Sequence, residues 1–319
     1  MTFHCGFLLM PDYSMIAFSS AIEVLRMANK LSRRPLYTWT TYTLSGQAVP
    51  ASNKLLMAPD KSIHNVVGEL DALLVCGGNQ ISNQWTNEIH NILNEFDRKK
   101  TILGGLCTGA YLLARSNLLN GIRCTIHWEY IAAFREKFPD AVLTEELFEM
   151  DQNRYTSSGG TAPMDMMLQI IKAHHGENLA VSISEQFICD RMRGPSDKQR
   201  IPLQLLIGTR QPKLVEAVAL MEANLEELIS LGEISALVGI SRRQLERLFK
   251  RYLNAVPRRY YLELRLKRAR QLLLQTDNSI MDIALACGFG SGPHFSKSYR
   301  DFYDATPSVD RQLRRQLFV

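Results

Sequence analysis

A helix–turn–helix unit occurs twice in the last third of this 319-residue chain, at nearly constant spacing. In the first copy, residues 233–238 predict a short helix with Ile234, Leu237 and Val238 among its apolar positions. Gly239 follows, at a turn that other residue types resist. Ser241 is placed to cap the next helix, which carries Leu245, Leu248 and Phe249 at i, i+3 and i+4, the spacing of one helix face. In the second copy, residues 280–287 predict a short helix capped by Ser279, Gly288-Phe289 make the turn, and a helix follows over 291–302. Gly288 lies 49 residues after Gly239, and Tyr299-Arg300 lies 50 after Phe249-Lys250, so one residue is inserted between the copies. Residues 257–274 predict a long helix between them, with Tyr261, Leu264, Leu266, Leu272, Leu273 and Leu274 among its apolar positions. Such a helix holds two heads at a fixed distance. One turn of B-DNA spans roughly 34 Å, so joined heads reach successive major grooves on one face.

Charge points the same way. Residues 1–208 carry 19 Lys/Arg against 20 Asp/Glu, whereas residues 209–319 carry 18 against 12. The excess belongs to one domain and points to a polyanion partner for it, the alternative being a solvated helical surface with no partner. Together with the duplicated units and the central helix, it makes double-stranded DNA the expected partner. In the first head, Arg242, Arg243, Gln244, Arg247 and Arg251 are the candidates for base or phosphate contact. Arg pairs bidentately with guanine and Gln with adenine. The bland alternative is that Arg247 and Arg251 only solvate an exposed face or touch phosphate. In the second head, Ser291 and His294 supply hydrogen-bonding groups at the helix start, beside Pro293, while Lys297 and Arg300 suit phosphate contacts.

The run Ile280-Met-Asp-Ile-Ala-Leu-Ala-Cys-Gly-Phe289 resembles the second helix-turn-helix of the AraC family, as do Phe295-Ser-Lys-Ser-Tyr-Arg300 and Thr306-Pro307. Upstream, Pro257-Arg-Arg-Tyr-Tyr-Leu262 and Arg265-Leu-Lys-Arg-Ala269 resemble the same pattern. The resemblance spans roughly residues 213–312. One departure is Asp304-Ala305, where the family usually has a glycine before Thr-Pro; it is expected to alter a loop rather than the function.

The first half alternates strand and helix patterns. Strands are predicted over residues 3–10, 37–44, 72–76, 101–106 and 155–158, and helices over 14–29, 88–96, 109–114 and 163–174. This alternation predicts a parallel sheet covered by helices on both faces, an α/β domain followed by an all-α domain. The polar stretch after residue 190 breaks the pattern. The expected organisation is a domain over 1–190, a linker over 191–212 and the DNA-binding domain over 213–319.

Leu103-Gly-Gly-Leu-Cys107-Thr108-Gly-Ala110 reads as a strand turning sharply into a helix. Such an elbow sets a side chain above the carboxyl ends of a parallel sheet, where open α/β folds hold ligands. Here it sets Cys107, whose thiol is expected to be acidified by the helix N-terminus. His127-Trp128 follows 20 residues later.

With Asp12-Tyr13, Ala21-Ile-Glu-Val24, Gly77-Gly78 and Gly159-Gly160-Thr161, this elbow resembles the DJ-1/PfpI group of the class I glutamine amidotransferase-like (GATase1-like) superfamily. That resemblance implies a DJ-1-like sandwich and assigns Glu23 as the acidic residue that meets the elbow cysteine. Proteolytic members carry His after that cysteine, where this chain has Thr108. The combination with an AraC-type domain is similar to the GlxA-type regulators, as are Glu23-Val-Leu-Arg-Met-Ala-Asn29 and Ser158-Gly-Gly-Thr-Ala-Pro-Met-Asp165. It implies a sensor for a small-molecule effector, an amino acid or a quaternary amine such as betaine or carnitine. It also implies an activator that works with RNA polymerase, a repressor being the alternative because binding geometry does not fix the sign of regulation, and a homodimer assembled through the first domain.

The expected ligand site comprises Asp12, Phe18, Glu23, Gly78, Asn79, Cys107, Thr108, His127 and Trp128, with Trp85 as a further aromatic face. Backbone N–H groups near Gly78 and Thr108 suit a carboxylate, and aromatic faces attract quaternary ammonium or guanidinium groups. No catalytic residue is assigned. The alternative is a cysteine-dependent hydratase or amidohydrolase-like enzyme carrying a DNA-binding domain. Six cysteines without a CxxC pair argue against a disulfide framework or zinc site, so no metal or cofactor is expected and a reducing cytoplasm fits best. No apolar run approaches the roughly 20 residues of a membrane span, and residues 1–10 do not read as a signal peptide.

Overall fold

A computed structural model describes residues 2–189, 191–194, 197, 199 and 211–316. Two compact units make up the chain, Met1–Gln199 and Arg200–Val319.

In the first unit, β1 (Phe3–Leu9) leads through the Ser14 cap into α1 (Met15–Ser32). There follow β2 (Tyr37–Thr43), the short strands β3 (Val49–Pro50), β4 (Leu56–Met57) and β5 (Lys61–Ser62), β6 (Ala72–Cys76) and α2 (Asn87–Arg98). Next come β7 (Ile102–Leu106), α3 (Ala110–Arg115), β8 (Arg123–Cys124), α4 (Ile131–Lys137) and β9 (Val142–Leu143). The unit continues with β10 (Phe148–Asp151), β11 (Arg154–Ser157), α5 (Ala162–His175) and α6 (Glu177–Gln186).

The main sheet runs β10-β11-β7-β6-β1-β2-β5 and is parallel apart from the β10–β11 hairpin. Period-two alternation divides β1 between two cores. Cys5, Phe7 and Leu9 pack with α1, α5 and α6, while Leu8 packs on the opposite face with α2, α3 and α4. The chain visits β2 on one side of β1 and β6 on the other. This reversal opens a crevice at the carboxyl ends of β1 and β6, the usual ligand position in such sheets.

The first unit continues past the expected boundary at 190. Arg193 donates from its backbone and side chain to buried Asp165, and from Nη2 to Thr161 Oγ1 at 2.7 Å. The Leu147 N–H donates to the Asp197 carbonyl at 3.0 Å. Gln199 Nε2 donates to Thr125 Oγ1, Ile126 O and Glu146 O at 2.8–3.0 Å. Of the expected linker, residues 195, 196, 198 and 200–210 lie outside the described residues.

The second unit is helical: α7 (Pro212–Ala223), α8 (Leu231–Val238), α9 (Arg242–Leu253), α10 (Pro257–Gln275), α11 (Ile280–Ala286), α12 (Gly292–Tyr303) and α13 (Pro307–Gln316). Ser230, Ser241 and Ser279 each close a capping box with the side chain three residues on, satisfying backbone N–H groups at helix starts. The first head packs Leu245 and Phe249 of α9 against Leu214, Met221, Ile234, Val238 and Tyr261. Leu237 is 62% exposed. In the second head, buried Tyr299 donates to Asp310 Oδ2 at 2.7 Å, which also pairs with Arg270 at 2.9 Å. Asp304 takes the left-handed conformation after α12 (φ 55°), as Asn254 does after α9 (φ 47°). The expected glycine is therefore replaced without losing the turn, because Asp and Asn tolerate this region better than other side chains.

Candidate functional sites

The crevice beside β1 and β6 is built from three loop starts. After β1, Asp12 adopts a positive φ of 55° and its carbonyl accepts from the Asn79 N–H at 3.2 Å. A Cβ on Gly78 would overlap that same carbonyl, so only glycine permits the approach. After β7, Cys107 stands at φ 59°, and Thr108 Oγ1 donates to the Gly78 carbonyl at 2.7 Å. The His127 N–H donates to the Cys107 carbonyl at 3.3 Å, and Trp128 lies beside it with ring centroids 5.6 Å apart. Asp12, Gly78, Asn79, Cys107, Thr108, His127 and Trp128 thus converge at one end of the sheet. Lys54 Nζ binds the Asp12 carboxylate at 2.8 Å.

Two expected ligand residues do not join them. Phe18 is 3% exposed and packs edge-to-face with Phe7 and Tyr13, because its position on α1 faces the sheet. Glu23 lies one and a half turns further along α1 and pairs with Arg26 at 2.6 Å. Its assigned role as partner of Cys107 is therefore corrected: the groups acting on that thiol are Thr108, Glu129 and Ser14. Trp85 is also otherwise engaged, its ring covered by the Arg115 guanidinium at 4.5 Å.

The expected acidification of Cys107 is reversed. Burial pushes the thiol up to about 12 and the Glu129 charge adds to the shift, while hydrogen bonds from the Thr108 backbone and Ser14 oppose it. At neutral pH it is a protonated thiol, a poor nucleophile. Burial lowers the His127 pKa, against the opposing pull of Glu129, whose carboxylate lies 3.7 Å from Nδ1. Ser14 and Glu129 are the members that sequence reading does not single out. The cap position of Ser14 and the placing of Glu129 two residues after His127 are the signals that point to them.

In the second unit, Arg243, Arg247 and Arg251 recur every four residues and are exposed along α9. Ser241, Arg243, Gln244 and Arg247 border one cleft. Arg242 pairs with Glu246 at 3.2 Å, and Gln244 Oε1 accepts from the Ser241 N–H at 2.8 Å. On α12 and its cap, Ser291, His294, Lys297 and Arg300 are exposed and recur every three residues, a second polar line. Ser291 makes no side-chain cap bond.

The DJ-1/PfpI family matches residues 7–173, and the helix-turn-helix domain family matches residues 234–313. The HTH-type transcriptional regulator GbdR of Pseudomonas aeruginosa is 52% identical over 307 residues, 96% of this chain and 83% of that protein. The HTH-type transcriptional regulator GlxA of Rhizobium meliloti is 33% identical over 319 residues, covering 98% of this chain and 95% of that protein. A crystal structure of an AraC family transcriptional regulator from Pseudomonas putida superposes with a TM-score of 0.54 at 30% identity, over 58% of this chain and 99% of the other. These matches run through both units, and the chain belongs to the GlxA-type group of the AraC family, transcriptional regulators in which a DJ-1/PfpI domain precedes a helix-turn-helix domain.

Proposed function

We propose that this regulator senses a small amino acid or quaternary amine at the β1–β6 crevice and activates genes for its catabolism. The observation that carries the reading is that His127, whose N–H bonds the Cys107 carbonyl, brings Trp128 and Glu129 beside the elbow. An aromatic face and a carboxylate suit a cationic head group. The protonated thiol suits a pocket wall better than a nucleophile. Asp12, Gly78, Asn79, Cys107, Thr108, His127 and Trp128 form this site.

On DNA, Arg243 and Arg247 read bases from α9, with Arg242, Gln244 and Arg251 beside them. Ser291 and His294 serve the same end on α12, where Lys297 and Arg300 hold phosphate. The active species is a cytoplasmic homodimer that recruits RNA polymerase, and two joined modules gain effective concentration on repeated sites.

Thermal unfolding of the purified chain with glycine betaine, carnitine and arginine tests the sensor. A ligand that binds only the folded state stabilises it by about 2.7 kcal/mol at 100 times its Kd. One of the three raises the melting temperature and alters operator binding in a gel shift; no response to any of them removes the amine reading.

A further inference from the structure

The two heads are copies in sequence, yet their turns are held differently. At the second turn, Arg265 of α10 is 9% exposed. Its Nε donates to the Cys287 carbonyl and its Nη2 to the Gly288 carbonyl, each at 2.7 Å. Its guanidinium lies over the Phe289 ring at 3.9 Å. One helical turn earlier on α10, the Tyr261 hydroxyl donates to the Asn224 carbonyl, in the loop between α7 and α8 of the first head. That loop also meets the second turn directly. A Cβ on Gly288 would stand 2.7 Å from the Leu225 carbonyl oxygen and 2.9 Å from that of Glu226. Three parts therefore meet at one point: the central helix, the second turn and a loop of the first head.

Among the described residues, nothing comparable holds the first turn. Forty-nine residues before Arg265 stands exposed Glu216, and a Cβ on Gly239 would meet only the end of Lys213, at 4.0 Å. The packing that repeats between the heads is their cores; this clasp does not repeat.

We propose that Arg265 and Tyr261 are positioning residues that fix the register between the two reading helices, and so set which spacing of half-sites the protein accepts. This rests on both heads reading DNA. The planar guanidinium suits the task because two N–H groups in a fixed fork reach adjacent carbonyls while its face stacks on a ring. A lysine has a single flexible ammonium and cannot reproduce that geometry. Inserting one base pair moves one half-site about 3.4 Å along and about 34° around the duplex, a displacement that a rigid pair of heads cannot follow.

The test uses the full chain and duplexes selected from a random pool by the wild-type protein. One base pair is then inserted between the two protected segments. Wild type should bind the lengthened duplex at least about tenfold more weakly, the scale of one lost base contact. Arg265→Met should bind the selected duplex less well but show an insertion penalty below about threefold. Arg265→Lys should fall between. Tyr261→Phe, which removes one hydroxyl and keeps the ring, should also reduce the penalty, and it decides the matter if Arg265→Met does not fold. A full wild-type penalty in the folded variants overturns the proposal. A wild type indifferent to the insertion overturns it together with the two-head reading.

Discussion

Cys107 joins a left-handed backbone to a protonated thiol, and its pH behaviour follows from the second. Its folded pKa of about 12 lies above the usual thiol value near 8.5. The folded state keeps a proton that the unfolded state releases, so this contribution to stability is complete below about pH 8.5 and is lost as pH rises toward 12. Buried Cys124, also pushed up to about 12, acts in the same sense. Urea midpoints should therefore fall above pH 9, and iodoacetamide should label native Cys107 far more slowly at pH 8 than the unfolded chain. Cys107→Ser should keep ligand-dependent transcription in a reporter assay; a covalent adduct formed only with Cys, together with loss of the response in Ser, would falsify the sensor role. Gly78→Ala should cost about 3 kcal/mol by urea unfolding, because its Cβ meets a backbone carbonyl that cannot turn aside. The elbow itself was legible, since a strand ending in Gly-Leu-Cys-Thr-Gly leads into a helix. Glu23 was misread although Arg26 lies at i+3, the spacing of a helical ion pair. Phe18 was misread although its spacing from Ile22 and Leu25 already marked the buried face. The engagement of Trp85 by Arg115, thirty residues away, had no local signal.

At the level of elements, the capping box of α9 engages a side chain proposed to contact DNA. Gln244 closes the capping box with Ser241, and that bond holds the acceptor oxygen needed for bidentate contact with adenine. Arg243 and Arg247, exposed on α9, are the proposed base readers. Arg243→Ala should reduce discrimination between operator and scrambled duplex by about 1–3 kcal/mol in gel shifts. Ser241→Ala should cost about 1 kcal/mol of stability and weaken binding to both duplexes alike, because it loosens the start of the helix. The long elements were readable from periodicity and caps: β6 spans the expected residues 72–76, and α10 begins at Pro257. The two-residue strands β3, β4, β5, β8 and β9 were not, since two residues cannot display alternation. β5, β8 and β9 take their pairing from partners well separated in sequence, whereas β3 and β4 pair locally with each other.

For the whole chain, the boundary of the first unit is the practical consequence. A fragment ending at 190 lacks Arg193, leaving the Asp165 carboxylate buried without its cation. It also lacks Asp197 and Gln199, partners of residues 125, 126, 146 and 147. Residues 1–199 should be more stable than 1–190 by at least about 3 kcal/mol, measured by urea unfolding, and should sediment at twice the monomer mass at micromolar concentration. A monomeric 1–199 fragment would remove the dimer interface from this unit. The topology also orders events in time. The sheet draws on pairings from β1 through β11, and the last fastenings of the unit, to loops and α5, come from residues near 199, whereas the second unit is made of helices close in sequence. Pairings between distant segments form slowly, and local helical ones form fast. During synthesis at about 5–20 residues per second, the first unit has roughly 6 to 24 s to close before residue 319 is added. The slow half of the protein is made first, so the sensor has time to be folded before the DNA-binding domain is ready to act.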